Sequence, residues 1–287
     1  MTYGLLSALS WGISTLLAAM AARRIGALRT VAIGEAVALA GYWILFMTGH
    51  FSLHGAGPVA WLLILAGVIG VGGYLAMYRG LESGHVGLVS AISACYGGVI
   101  AVLSVVLLHE RLTVAAAVGI VATVAGVMLA VTRRSGPGSA PAAAAAPAIG
   151  AVFGVAAALL YGVGGFMIGR YSRNLGWLLP VVVARSGAMV FLLGLLATPL
   201  RGPAPRSQAL SGIAWAVLAG LVDAAGLAAF TRGDQVGLVA ITAAVSSAYP
   251  VIPLAGGLLL FRERLMRWQA GGAVLILAGL VLLGLGS

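Results

Sequence analysis

The sequence predicts an all-α integral membrane protein, with ten transmembrane helices arranged as two inverted five-helix repeats around one shared site. Three observations carry this. Of 287 residues, 62% are apolar and 8% charged, with a mean hydropathy of +1.12, a balance that ordinary soluble domains do not have. Apolar runs of about twenty residues recur along the whole length, enough helix to cross a bilayer core of ~30 Å. The chain also repeats itself. Val86-Gly-Leu-Val89 recurs as Val236-Gly-Leu-Val239, 150 positions on, and His109-Glu-Arg-Leu112 is echoed by Arg262-Glu-Arg-Leu265, 153 positions on. The three extra residues fall between the paired motifs, so Tyr96-Gly97 lies opposite Tyr249-Pro250. A repeat of this kind points to two halves built around one site.

Cutting at charge, Pro and Gly clusters places the spans at roughly 2–22, 28–48, 58–79, 86–108, 112–132, 148–170, 176–198, 209–231, 236–261 and 267–286. No basic residue precedes the first run, which reads as a membrane helix rather than a cleaved signal peptide. The first repeat is 1–132 and the second 148–287. Between them, 133–147 is rich in Pro, Gly, Ser and Ala and reads as a mobile linker. Further pairs keep the register: Gly4 with Gly154, Trp11-Gly12 with Tyr161-Gly162, Gly26 with Gly176, and Arg79-Gly80 with Arg232-Gly233. Five spans per half is an odd number, so the halves enter the membrane in opposite senses. The alternative is a duplication kept for packing alone.

Charge narrows the function classes. The 16 basic residues are all arginines, against six acids, giving a net charge of +10. They sit at the ends of apolar runs, which suits anionic lipid headgroups and not nucleic acid. Eleven flank the loops after odd-numbered spans and four those after even-numbered spans, which puts both termini outside the cytoplasm. Cys95, the one cysteine, has no partner for an internal disulfide. There is no Gly-x-x-x-x-Gly-Lys loop and no His-Glu-x-x-His, and acids are few and scattered. The chain is therefore not expected to be an enzyme or to carry a cofactor. His50 and His54 lack a third ligand, so no metal site is expected.

His109-Glu-Arg-Leu112 with Gly119 and Gly126, and Arg262-Glu-Arg-Leu265 with Gly272 and Gly279, resemble the drug/metabolite transporter superfamily. More narrowly, the chain is similar to the bacterial ten-helix EamA-type exporters over essentially its whole length. The resemblance implies a ten-helix basket around a central cavity and export of small metabolites, with amino acids, including aromatic ones, prominent among the cargoes. It also implies cytoplasmic termini, against the arginine count. Gly97 stands where the second half has Pro250, so the halves need not bend alike.

Candidate residues follow from chemistry that a membrane makes costly. Trp11 and Tyr161 are large aromatics amid small residues at one repeat position, and suit either a pocket wall or packing. Tyr74 and Tyr78 share one face of span 3, where an interfacial anchor is the other reading. Spans 4 and 9 bring hydroxyls: Ser90, Ser93 and Tyr96, then Thr242, Ser246, Ser247 and Tyr249. Pro250 and Pro253 would free the carbonyls of Ser246 and Tyr249 and bend span 9, as a gate or hinge with Gly97 opposite. Span 4 is expected to be straighter. Ser246, Ser247 and Tyr249 are the first candidates for substrate contact.

Three charges lie within spans: Glu35, Arg185 and Asp223. Such groups usually face a bundle interior or cavity. Glu35 and Arg185 are repeat equivalents and suit an ion pair across the pseudo-two-fold, unless they face opposite leaflets and lie too far apart. Asp223 has small neighbours; it suits a substrate ammonium, a proton, or a bond to a neighbouring helix. Glu110 and Glu263 read as structural, capping the next helix or pairing with Arg111 and Arg264. Taken together, the sequence predicts a secondary exporter of small molecules in the plasma (inner) membrane. It is expected to be monomeric, to have the lipid bilayer as its other partner, and to carry apolar or aromatic amino acids by alternating access. Other amphipathic drugs or metabolites, or a passive pore, are the alternatives.

Overall fold

The computed structural model describes residues 1–49, 51–53, 55–82, 86–131, 141–197, 209–252 and 267–285. Among these, the regular elements are helical. They are α1 (Thr2–Ile25), α2 (Ala27–Thr48), a 3-10 turn at Gly57–Val59, α3 (Ala60–Glu82), α4 (Val86–Ala94), α5 (Tyr96–Leu107) and α6 (Val114–Val131). The second half continues with α7 (Pro141–Leu175), α8 (Leu178–Ala197), α9 (Ala209–Val236), α10 (Val239–Ser246) and α11 (Arg267–Leu285). Six of these, α1, α2, α3, α7, α8 and α9, are long and apolar enough to cross a membrane. Their outward side chains include Ile44, Trp61, Val190 and Leu210, a surface that lipid accepts and water does not.

Two boundaries move outward. Helix α7 begins at Pro141, inside the segment expected to be linker. Proline at a first helical position gives up no hydrogen bond, and the alanine run that follows favours helix. Helix α9 runs on to Val236, because Thr231 donates to Leu227 O at 2.9 Å and Arg232 pairs with Gln235 within the last turns.

Span 4 is not straight. It breaks at Cys95 into α4 and α5, with Cys95 N–H bonded three residues back to Ile92 and Gly98 N–H to Cys95. No proline is needed: Gly97-Gly98 weakens helix, and Ser93 Oγ takes up the Ser90 carbonyl. Span 9 breaks at the equivalent point. Helix α10 stops at Ser246, and the amides of Ala248, Tyr249, Val251 and Ile252 each bond three residues back. The Ser246 carbonyl, which Pro250 was expected to free, is taken by Tyr249 N–H at 3.2 Å. Pro253, Glu263, His50 and His54 lie outside the described residues.

The packing is reciprocal between halves. Gly4 of α1 faces Val245 and Thr242 of α10, while Gly154 of α7 faces Ile92 and Val89 of α4. Gly67 of α3 lies against the Ala184 backbone of α8. In the other half, Gly220 of α9 lies against Gly34 of α2, where a Cβ would sit 2.6 Å from a carbonyl oxygen. Helices α6 and α11 cross at Gly119–Gly279 and Gly126–Gly272. With no side chain at these crossings, backbones pack directly, which is how helices associate when water supplies no driving force. The α1–α2 and α7–α8 corners match as well: Gly26 (φ 83°) and Gly176 (φ 79°) hold the left-handed conformation that only glycine adopts freely.

Candidate functional site

Helices α1, α2, α3, α5, α7, α8 and α9 and the turn after α10 enclose a central cavity, with about 120 Å³ open to the centres of water-sized spheres. Among the described residues, none of its lining comes from α6 or α11. One wall is charged. Arg185 of α8 extends its guanidinium between two acids, donating to Glu35 Oε2 of α2 at 2.5 Å and to Asp223 Oδ2 of α9 at 2.7 Å. The Tyr74 hydroxyl donates to Asp223 Oδ1 at 2.7 Å. The guanidinium also lies 5.9 Å from the Tyr42 ring centre and 5.7 Å from that of Tyr74, within cation–π range. All three charged residues are buried, at 3%, 6% and 6% exposure for Glu35, Arg185 and Asp223. A planar fork is the group that can hold two carboxylates at once, which a lysine ammonium does less well.

The remaining wall is aromatic. Trp11 packs edge-on to Tyr96 at 5.9 Å and against Phe230 at 5.4 Å. Tyr161 lies 5.1 Å from Tyr74 and 6.4 Å from Tyr96, and Tyr74 lies 5.9 Å from Tyr78. These six rings all line the cavity. They come from both halves because α1 packs on α9 and α3 on α7. A smaller cavity lies behind the charged wall, bounded by Thr30, Glu35, Tyr78, Arg185 and Asp223 among others.

Of the residues singled out from sequence, Trp11, Tyr78, Tyr96, Tyr161, Asp223 and Tyr249 line the cavity, together with Glu35 and Arg185. Ser246 and Ser247 do not. Ser246 Oγ donates to Ala243 O and shares a 2.7 Å bond with the Tyr96 hydroxyl. Ser247 Oγ donates to Ala244 O and its Cβ packs on Gly97. The Tyr249 hydroxyl reaches Ser93 at 2.7 Å and the Ser90 carbonyl at 3.0 Å. Each broken span is thus tied by a tyrosine to the break in the other half. Asp223 has both oxygens engaged, Oδ1 by the Tyr74 hydroxyl and Oδ2 by Arg185. Glu35 and Arg185 do meet, because each sits near the eighth position of its helix. At ~1.5 Å per residue that is about 12 Å in, close to mid-bilayer from either face.

Glu110 corrects another expectation. Its carboxylate accepts from the Val239 and Ala240 amides, at 3.1 and 3.2 Å, capping α10 rather than the next helix. Its ionic partner is Arg173, at 2.7 Å, not Arg111. Arg173 also donates to Gly237 O at 2.8 Å. His109, at φ 54°, makes the turn that brings Glu110 inward. Phe230 could have been found from its seven-residue spacing to Asp223. Arg173 carried no signal, since it looks like any helix-end arginine. Among the described residues, no group of three or more His, Cys, Asp or Glu side chains is placed to hold a metal.

Comparison with known proteins bears on the class. Residues 1–132, just under half of the chain, match the EamA-like transporter family, whose members are multi-pass membrane transporters of small molecules and not enzymes. The fold is similar to that of a protein of known crystal structure, with a TM-score of 0.73, 19% identity, and coverage of 99% of this chain and 96% of the other. No curated protein matches it in sequence.

Proposed function

We propose that the protein is a secondary exporter of small amphipathic metabolites, foremost amino acids with apolar or aromatic side chains, in the plasma (inner) membrane. The observation that carries this is the cavity, which sets a charged group of three residues against six aromatic rings. An aromatic wall takes an apolar side chain and a charged wall takes a polar head. Ten spans in two inverted halves would let the halves rock about the cavity and open it to each side in turn. The reciprocal glycine crossings and the matching breaks in spans 4 and 9 support that arrangement. The protein works as a monomer in this reading, since the cavity lies within one chain. Uptake of radiolabelled amino acids into liposomes carrying the pure protein tests it. Saturable uptake of apolar or aromatic amino acids is expected; no movement across a broad amino-acid panel would remove the cargo assignment.

A further inference from the structure

The charged wall is not balanced. Two carboxylates, Glu35 and Asp223, share one guanidinium. Asp223 has a partner on each oxygen, Tyr74 on one and Arg185 on the other. Arg185 donates from both terminal nitrogens and has the Tyr42 and Tyr74 ring centres within 6 Å. Glu35 is different: Oε2 holds Arg185, but Oε1 is buried and has no hydrogen-bond partner among the described residues. Glu35 lines both the central cavity and the smaller one behind it. Trp11 Nε1 is also without a partner, but it abuts the α9 backbone, 2.9 Å from where a Cβ on Gly226 would lie, so it is closed to a ligand.

We propose that Glu35 Oε1 is the head-group site of the cavity and that it takes an organic ammonium. This rests on the reading of the cavity as the transport site. A buried carboxylate oxygen needs a donor. The cavity's other polar surface is the faces and hydroxyls of aromatic rings, and ring faces attract cations and repel anions. The preferred cargo therefore carries an ammonium on an apolar or aromatic tail. In an amino acid, the α-ammonium and the side chain are read and the α-carboxylate is not.

Equilibrium dialysis of three radiolabelled probes against the full-length protein tests this: phenethylamine, 3-phenylpropan-1-ol and 3-phenylpropionate share a ring and differ in head group. Phenethylamine is expected to bind at least about tenfold more tightly than the alcohol, with the propionate weakest. In Glu35→Gln, the advantage of the amine over the alcohol is expected to collapse to about threefold or less. If the propionate or the alcohol binds as well as the amine, the cavity reading stands and the ammonium site is wrong. An undiminished amine preference in Glu35→Gln also overturns the site. Failure of all three to bind overturns the cavity reading and the inference together. Should Glu35→Gln not fold, the three-probe comparison on the unmodified protein decides alone.

Discussion

Arg185 holds two buried carboxylates, and a buried charge without its partner is far costlier than the pair. Arg185→Ala is therefore expected to cost about 3–5 kcal/mol, read as a lowered unfolding midpoint in detergent. Arg185→Lys should lose transport while keeping more stability, because one ammonium cannot reproduce the fork across both acids. Replacing all three charges at once, with Glu35→Gln, Asp223→Asn and Arg185→Met, should recover much of the stability lost in Arg185→Ala yet leave transport dead. A triple variant that transports normally would show the charges to be structural only. The sequence made each of these residues conspicuous, since charge within an apolar span is rare. It did not show that they meet. Their 150-residue separation marks them as equivalents, but only the depth of each in its own helix brings them to one level. Ser246 and Ser247 show the reverse case: their hydroxyls are as visible in the sequence, and in the structure each bonds to a carbonyl of its own helix.

At the level of helices, glycine crossings and one carboxylate cap fix the frame of the cavity. Gly220→Leu would drive a side chain into the Gly34 backbone, and overpacking of this kind costs about 1–3 kcal/mol or more. Gly126→Leu should destabilise the α6–α11 crossing similarly, but leave the substrate preference of the folded fraction unchanged, because no described residue of either helix lines the cavity. A competition profile on the surviving protein measures that. Glu110→Ala removes the α10 cap and strands Arg173. It should lower the unfolding midpoint by an amount equivalent to about 1–3 kcal/mol. The long apolar helices were plain in the sequence. The break in α4–α5 was not, because its cause is a glycine pair and a serine back-bond rather than a proline. Pro250 did mark the break after α10, although its neighbours close the backbone bonds that it was expected to open.

Across the whole molecule, helices from both ends of the sequence interleave around the cavity, and the contacts of Gly4 with α10 and of Gly154 with α4 match in packing the spacing at which the sequence repeats. Membrane class and transporter family were legible from composition and the paired Glu-Arg-Leu motifs. The chemistry of the cavity was not, because it is assembled from seven helices and a turn whose mutual rotation no single span encodes. The most direct test of the central claim, that this cavity is the transport site, is initial-rate uptake in proteoliposomes, comparing the unmodified protein with Trp11→Ala and Tyr161→Ala. Saturable uptake that falls at least about tenfold in both variants, with unfolding midpoints nearly unchanged, is the predicted result. Uptake that rises without saturation, or that is unaffected by either substitution, would contradict it.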